Sequence, residues 1–233
     1  MNEDRIKPPT AHRVAARAMA MVVVTCRGFI EADAEEAAEF WHRVLRWFET
    51  LGVEDELEAW ERGVIGTPLG SLNGPAHANA QWLCEGLAVL AWALGTWKIP
   101  SHDVPVVAVE VSESLGFLSS KEETVLASPK LKERQLLEHF RNEAFTVHWR
   151  LREFSLKNCA MDFRSFLKTA WFGPLELQEA GLFGNDLRVG DQALADAPAS
   201  EVWLATSIAR ERHRAINWLF GESAVYSETD TST

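Results

Sequence analysis

The sequence predicts a single all-α domain, a bundle of about seven to nine helices with at most a small β-hairpin near residues 186–194. Three observations predict it. Apolar residues recur at alternating steps of four and three through several long segments. Two further segments are apolar on nearly every side, as helices at the centre of a bundle are. Strand-like alternation is confined to one short stretch. The domain is expected to span residues 11–221, with polar, mobile tails at 1–10 and 222–233.

Residues 12–30 form the first apolar segment, interrupted by Arg17 and Arg27. Arg13 and Arg17 precede the run Ala18–Cys26, an arrangement that invites comparison with a signal peptide. The run is short, begins late, is followed at once by Arg27 and lacks a small-x-small cleavage site, so it reads as a buried helix. In residues 34–51, Ala37, Trp41, Val44, Phe48 and Leu51 make an apolar stripe, with Glu35, Glu39, Arg43 and Arg46 off it. Gly52 closes that helix, and Val53, Leu57, Trp60 and Val64 repeat the spacing in a second one ending near Gly66-Thr67-Pro68. Gly63 to Gly74 reads as a turn-rich connector. Residues 77–95 are the second all-apolar helix, with Leu83, Leu87, Leu90 and Leu94 among alanines and tryptophans.

Residues 105–111 stay open between strand and helix, because β-branched valines favour the one and Pro105 with Leu115-Gly116-Phe117 suits the other. Ser119 to Lys130 is expected to be an exposed connector. The strongest periodicity lies in 130–156, where Leu137, Phe140, Ala144, Val147, Leu151 and Phe154 line one seam and Trp149 lies off it. Residues 162–172 predict a shorter helix with Asp162 as N-cap and Gly173-Pro174 as its stop. Asp186 to Leu194 is the hairpin, turning at Gly190-Asp191, and the last helix runs from 199 to 220.

The chain carries 34 acidic and 23 basic side chains in 233 residues, a net charge of −11. Such a surface repels phosphate backbones, and no basic stripe interleaved with aromatics is present, so nucleic-acid binding is not expected. No apolar run is long enough for a membrane helix. The same charge favours encounter with a basic partner through long-range steering. Cys26, Cys84 and Cys159 form no C-x-x-C pair and suggest a reducing compartment, so a cytoplasmic location is expected.

The sequence contains the phrases Arg13-Val14-Ala15-Ala16-Arg17-Ala18, Thr67-Pro68-Leu69-Gly70, Glu85 to Gly95, Leu115-Gly116-Phe117-Leu118 and His148-Trp149-Arg150-Leu151-Arg152. Further on come Met161-Asp162-Phe163, Thr169 to Pro174, Glu211-Arg212-His213-Arg214 and Asn217-Trp218-Leu219. Together these phrases resemble an uncharacterised bacterial family, domain of unknown function 4272. The likeness spans about residues 11–221 and implies one soluble bacterial domain. It brings no established activity, cofactor or catalytic residue with it.

The candidate site residues are therefore polar groups in apolar places. Glu85 is the single charge between Gln81 and Trp97, which predicts a buried carboxylate paired with Arg17 or Arg27. Glu211 and Arg212 each interrupt an apolar stripe of the last helix, and His213 projects with Asn217 from its more polar flank. His148 lies beside the long seam, with Arg152 one turn after it. No H-E-x-x-H, H-x-H or aspartate cluster appears, and Glu211 and His213 project roughly 200° apart on a helix, so neither metal nor cofactor is expected. The nucleophile elbow, the phosphate-cradling loop and the dinucleotide fingerprint are absent as well.

There are ten tryptophans and one tyrosine. Most tryptophans read as core, whereas Trp97 and Trp171 adjoin helix ends and, with Phe172, make a candidate apolar interaction surface. The leading expectation is a non-enzymatic cytosolic binding protein, of the immunity-like kind that protects a bacterium by holding a basic protein such as a toxin. The alternative is a small-molecule-binding protein or enzyme with a pocket around Glu85, His148, Glu211 and His213. A structural subunit of a larger assembly is a third class.

Overall fold

The structure is a computed structural model that describes residues 7–173 and 175–233. Its α-helices are α1 (Ala11–Phe29), α2 (Ala34–Leu51), α3 (Ala59–Gly66), α4 (Gly74–Ala93), α5 (Ala108–Ser114), α6 (Arg134–Lys157), α7 (Phe163–Thr169) and α8 (Ala199–Leu219). A small antiparallel sheet of β1 (Leu182–Phe183), β2 (Asp186–Val189) and β3 (Gln192–Ala193) precedes α8. Eight α-helices and one minor sheet among the described residues agree with the predicted class. The hairpin turns at Gly190, whose φ of 60° a glycine adopts without strain, and β1 is a strand added to it.

Local chemistry places the helix ends. Thr10 caps α1 by accepting from the Arg13 amide, and Asn73 caps α4 by accepting from Ala76. Glu58 and Glu61 close a reciprocal capping box on α3. Gly52 ends α2 and Asn158 ends α6 in the left-handed region, φ 66° and 46°. Asp162 caps α7 as expected; the expected stop residue Pro174 lies outside the described residues, as do residues 1–6 of the first tail.

The long helices pack in a row, α1 on α4, α4 on α8 and α8 on α6. α1 and α4 approach closely where Gly28 meets Ala80; a Cβ at 28 would sit 2.9 Å from the Ala80 methyl. One large apolar cluster joins α1 to α5 with the first half of α6 and the end of α8. A smaller one unites Val147 and Leu151 of α6 with Phe163, Leu187, Val189 and Leu194, under the start of α8 at Ala205 and Ala209. The α6 seam faces inward as its periodicity requires, and Trp149, off the seam, stacks on Phe166 of α7 with ring centroids 4.9 Å apart.

Three expectations are settled or corrected here. The open segment 105–111 divides: the Val106 amide donates to Glu85, Val107 is extended, and α5 begins at Ala108, burying Val111. The connector 119–130 is not uniformly exposed. Leu126 and Thr124 are buried, Trp47 donates its indole N–H to the Ser119 carbonyl at 2.8 Å, and Lys121 donates to the Leu51 carbonyl at 2.5 Å. Residues 222–233 do not form a loose tail. The single tyrosine, Tyr226, is 2% exposed and lies over Gly86, where any side chain would collide with its hydroxyl. Ser227 donates its amide to Glu58, and Arg13 reaches the Ala224 carbonyl at 2.7 Å.

Candidate functional site

α8 sits between α4 and α6, so its successive side chains, 100° apart, serve different neighbours. Glu211, Arg212 and His213 show this directly. Arg212 points at α4 and the loop after it. Its Nε donates to Glu85 at 3.0 Å, with Nη2 in ion-pair contact at 2.8 Å, its Nη1 donates to the carbonyls of Pro100 and Ser101 at 3.1 and 2.9 Å, and its Nη2 to Val104 at 2.8 Å. Every guanidinium nitrogen thus donates at least one hydrogen bond. Glu85 in turn accepts from the Val106 amide at 2.9 Å. Both are buried, and burial lowers the Arg212 pKa against the pull of Glu85. The pair holds loop 100–106 against the bundle.

The expected partners of Glu85 were Arg17 and Arg27, and the structure corrects this. Arg17 makes a bidentate pair with Glu61 at 2.7 and 2.6 Å and donates to the Glu56 carbonyl. Arg27 pairs with Glu31, one turn on, and donates to the Pro68 carbonyl at 2.9 Å. α1 turns its arginines toward α3 and the 67–72 turn, away from α4, across which small residues let the backbones close. Glu31 also accepts from the amides of Gly70 and Leu72, so burial, which would raise its carboxyl, is outweighed and its pKa falls.

Glu211 faces a third way. It is held by Arg210 at 3.1 Å and Arg214 at 2.5 Å, on a wall shared with Trp60, Trp82 and Tyr226. His213 turns to α6, where its Nδ1 lies 3.0 Å from Nδ1 of His148. The four residues expected to border one pocket therefore do not. His148 and His213 meet; Glu85 and Glu211 are neutralised in separate ion pairs.

The histidine pair has one consistent hydrogen-bond arrangement. Arg141 can only donate, so Asn217 accepts with Oδ1 at 3.0 Å and turns its amide nitrogen to the Asp230 carbonyl and to His213 Nε2, 3.0 Å away. His213 accepts there, carries its proton on Nδ1 and donates to His148 Nδ1, which leaves the His148 proton on Nε2. Both rings are neutral. Burial first, then Arg152, Arg210 and Arg214, pushes His148 down to about 4; burial first, then His148 and Arg141, pushes His213 down to about 3. Neither is poised as a base near pH 7. Arg152, from the same candidate group, lies exposed on α6. Among the described residues no group of three or more histidine, cysteine, aspartate or glutamate side chains could hold a metal.

The candidate apolar surface splits in two. Trp97 is half-buried against the main cluster. Trp171 is 89% exposed and Phe172 37%, beside a groove of about 680 Å³ walled by Phe145, Trp149, Met161 and Phe166. Phe172 packs 5.5 Å from Trp149, and Phe145 packs 5.8 Å from His213, so the groove rests on the histidine pair. Sequence patterns missed Glu143 and Arg188, which line a separate cavity of about 370 Å³ between α4, α6 and α8. Glu143 lies off the α6 seam and Arg188 in a four-residue strand, so neither interrupts an apolar pattern.

No curated protein matches the chain, and no solved structure does. A family model described as Domain of unknown function (DUF4272) matches residues 1–162, from α1 through α6 to the cap of α7. The later phrases of the resemblance, Thr169 to Pro174 and Glu211 to Leu219, fall beyond that match, although α8 completes the core that the matched helices build. The match covers well over half of the 233 residues, and the chain belongs to the DUF4272 family.

Proposed function

We propose that this chain is a non-enzymatic binding protein of the bacterial cytosol that holds a basic protein partner, as an immunity-like inhibitor does, through the surface at Trp171 and Phe172. The observation that carries the reading is the indole of Trp171, 89% exposed at the edge of an aromatic groove. A tryptophan beside a pre-formed apolar groove is the kind of anchor on which interface energy concentrates. The net charge of −11 supports a basic partner by steering encounter at low salt. The state of the buried polar groups supports binding over catalysis: Glu85 and Glu211 are each matched by arginine, and both histidines are neutral.

Native mass spectrometry of the tagged protein, purified gently from its host, tests the reading. A stoichiometric adduct of a basic protein is expected, weakened by high salt and lost in a W171A/F172A variant. Recovery of the free protein alone, or an adduct indifferent to those two substitutions, would overturn it.

A further inference from the structure

The cavity between α4, α6 and α8 is distinct from the Trp171 groove, and its volume of about 370 Å³ lies within the range of small-ligand sites. One wall is apolar: Trp92 and Phe140 pack with ring centroids 4.6 Å apart, beside Leu136, Ala144 and Val147. The opposite wall is the 99–102 loop with Arg188 and Arg212.

Three of the five titratable groups on the cavity, Arg212, His139 and His102, are engaged by the protein. Arg212 is paired with Glu85 and donates to three carbonyls. His139 lies 3.1 Å from Glu176. His102 is engaged through Nε2, 2.7 Å from the Arg188 carbonyl, and burial lowers its pKa. Two groups are left over. Glu143 has no hydrogen bond and no ion pair among the described residues, and burial, with Glu176 nearby, raises its carboxyl. Arg188 donates one Nη2 bond to Ser101 Oγ at 2.8 Å and stands 3.7 Å from Asp103, but its Nε is buried without an acceptor. These two groups do not pair with each other.

A cavity thus offers one anion without a donor, one cationic donor without an acceptor, and an aromatic wall beside Glu143, which lies three residues from Phe140 on α6. Arg188 Nε, buried without an acceptor, carries the cost of an unmade hydrogen bond, while half-buried Glu143 lines the cavity with no protein donor. A simple anion would meet the Glu143 carboxylate, and a simple cation would meet Arg188. We propose that the cavity binds a free α-amino acid with an apolar side chain: its ammonium on Glu143, its carboxylate on the Arg188 guanidinium, its side chain against Trp92 and Phe140.

Isothermal titration of the full chain with L-phenylalanine, L-leucine and L-tryptophan tests this, with phenethylamine and 3-phenylpropionate as analogues that each lack one charge. At least one amino acid is expected to bind, and removal of either charge from L-phenylalanine is expected to weaken binding by about tenfold or more. Glu143→Gln should abolish the preference for L-phenylalanine over 3-phenylpropionate, and Arg188→Gln the preference over phenethylamine. Each variant should erase one preference and keep the other, a pattern that misfolding cannot mimic. Absence of binding by all three amino acids at millimolar concentration, or preferences unchanged in both variants, would overturn the proposal. The W171A/F172A variant should retain the site, so this test stands apart from that of the partner surface.

Discussion

Acidification to pH 5 should destabilise this fold chiefly through its buried histidine pair. The unfolded chain protonates histidine near pH 6.5, whereas the folded protein holds His148 down to about 4 and His213 down to about 3. With the folded values depressed, the neutral rings contribute their full stability above pH 6.5, and it is lost as pH falls toward the folded values. Between pH 7.5 and pH 5 each ring loses about 2 kcal/mol, from some 1.5 units of protonation in the unfolded state at 1.36 kcal/mol per unit. The pair loses about 4 kcal/mol, a large part of a typical domain's stability. His102, also lowered by burial, adds in the same sense, while Glu143, raised by burial, opposes it. Carboxylates held low by arginine contribute only nearer pH 4. Urea denaturation followed by tryptophan fluorescence across this range measures the slope, and H148Q/H213Q should flatten most of it. A free energy of unfolding constant between pH 7.5 and 5, or an equal slope in the double variant, would refute the reasoning.

R212A should cost about 3–5 kcal/mol by stranding the Glu85 carboxylate, and E85L/R212M should recover much of it; urea melts compare them. G86A should destabilise by about 1–3 kcal/mol by expelling the Tyr226 hydroxyl, and Y226F should restore part of the loss, because the hydroxyl is the nearest colliding atom. Cys159, exposed, should react with an aromatic disulfide reagent in the native protein, while Cys26 and Cys84, pushed up to about 12 by burial, should react only after unfolding.

Much of the bundle was legible because helical spacing reports which face of a helix is covered. It does not report what covers it. Glu85, Glu211 and Arg212 stood out as charges on apolar faces, and all three are buried; the assignment of Glu85 to an α1 arginine failed because residues 85 and 212 are distant in sequence and only the packing order brings α8 beside α4. Glu61, the true partner of Arg17, was hidden among the acidic residues of α3, where a buried carboxylate looks like a solvated one. His148 and His213 met because both lie on the α6–α8 contact, which no local pattern specifies. Tyr226 lacked any periodic context, so a twelve-residue polar stretch concealed a core residue. Trp171 was legible from its place beside a helix stop, since a helix end rarely covers a large ring on every side.

The central place of α8 has a consequence for synthesis. Arg212 is 127 residues removed from Glu85, and α8 leaves the ribosome only after the six helices matched by the family model. Until it arrives, the Glu85 carboxylate lacks the Arg212 guanidinium and must remain hydrated on the apolar helix α4. The nascent chain is therefore expected to linger as a loose, chaperone-accessible collection of helices and to close late, in one step, when α8 slides between its two flanks. Folding that waits for such distant contacts is slow for a helical protein, and a chain stopped after α6 would present to the cell an open groove where the last long helix belongs.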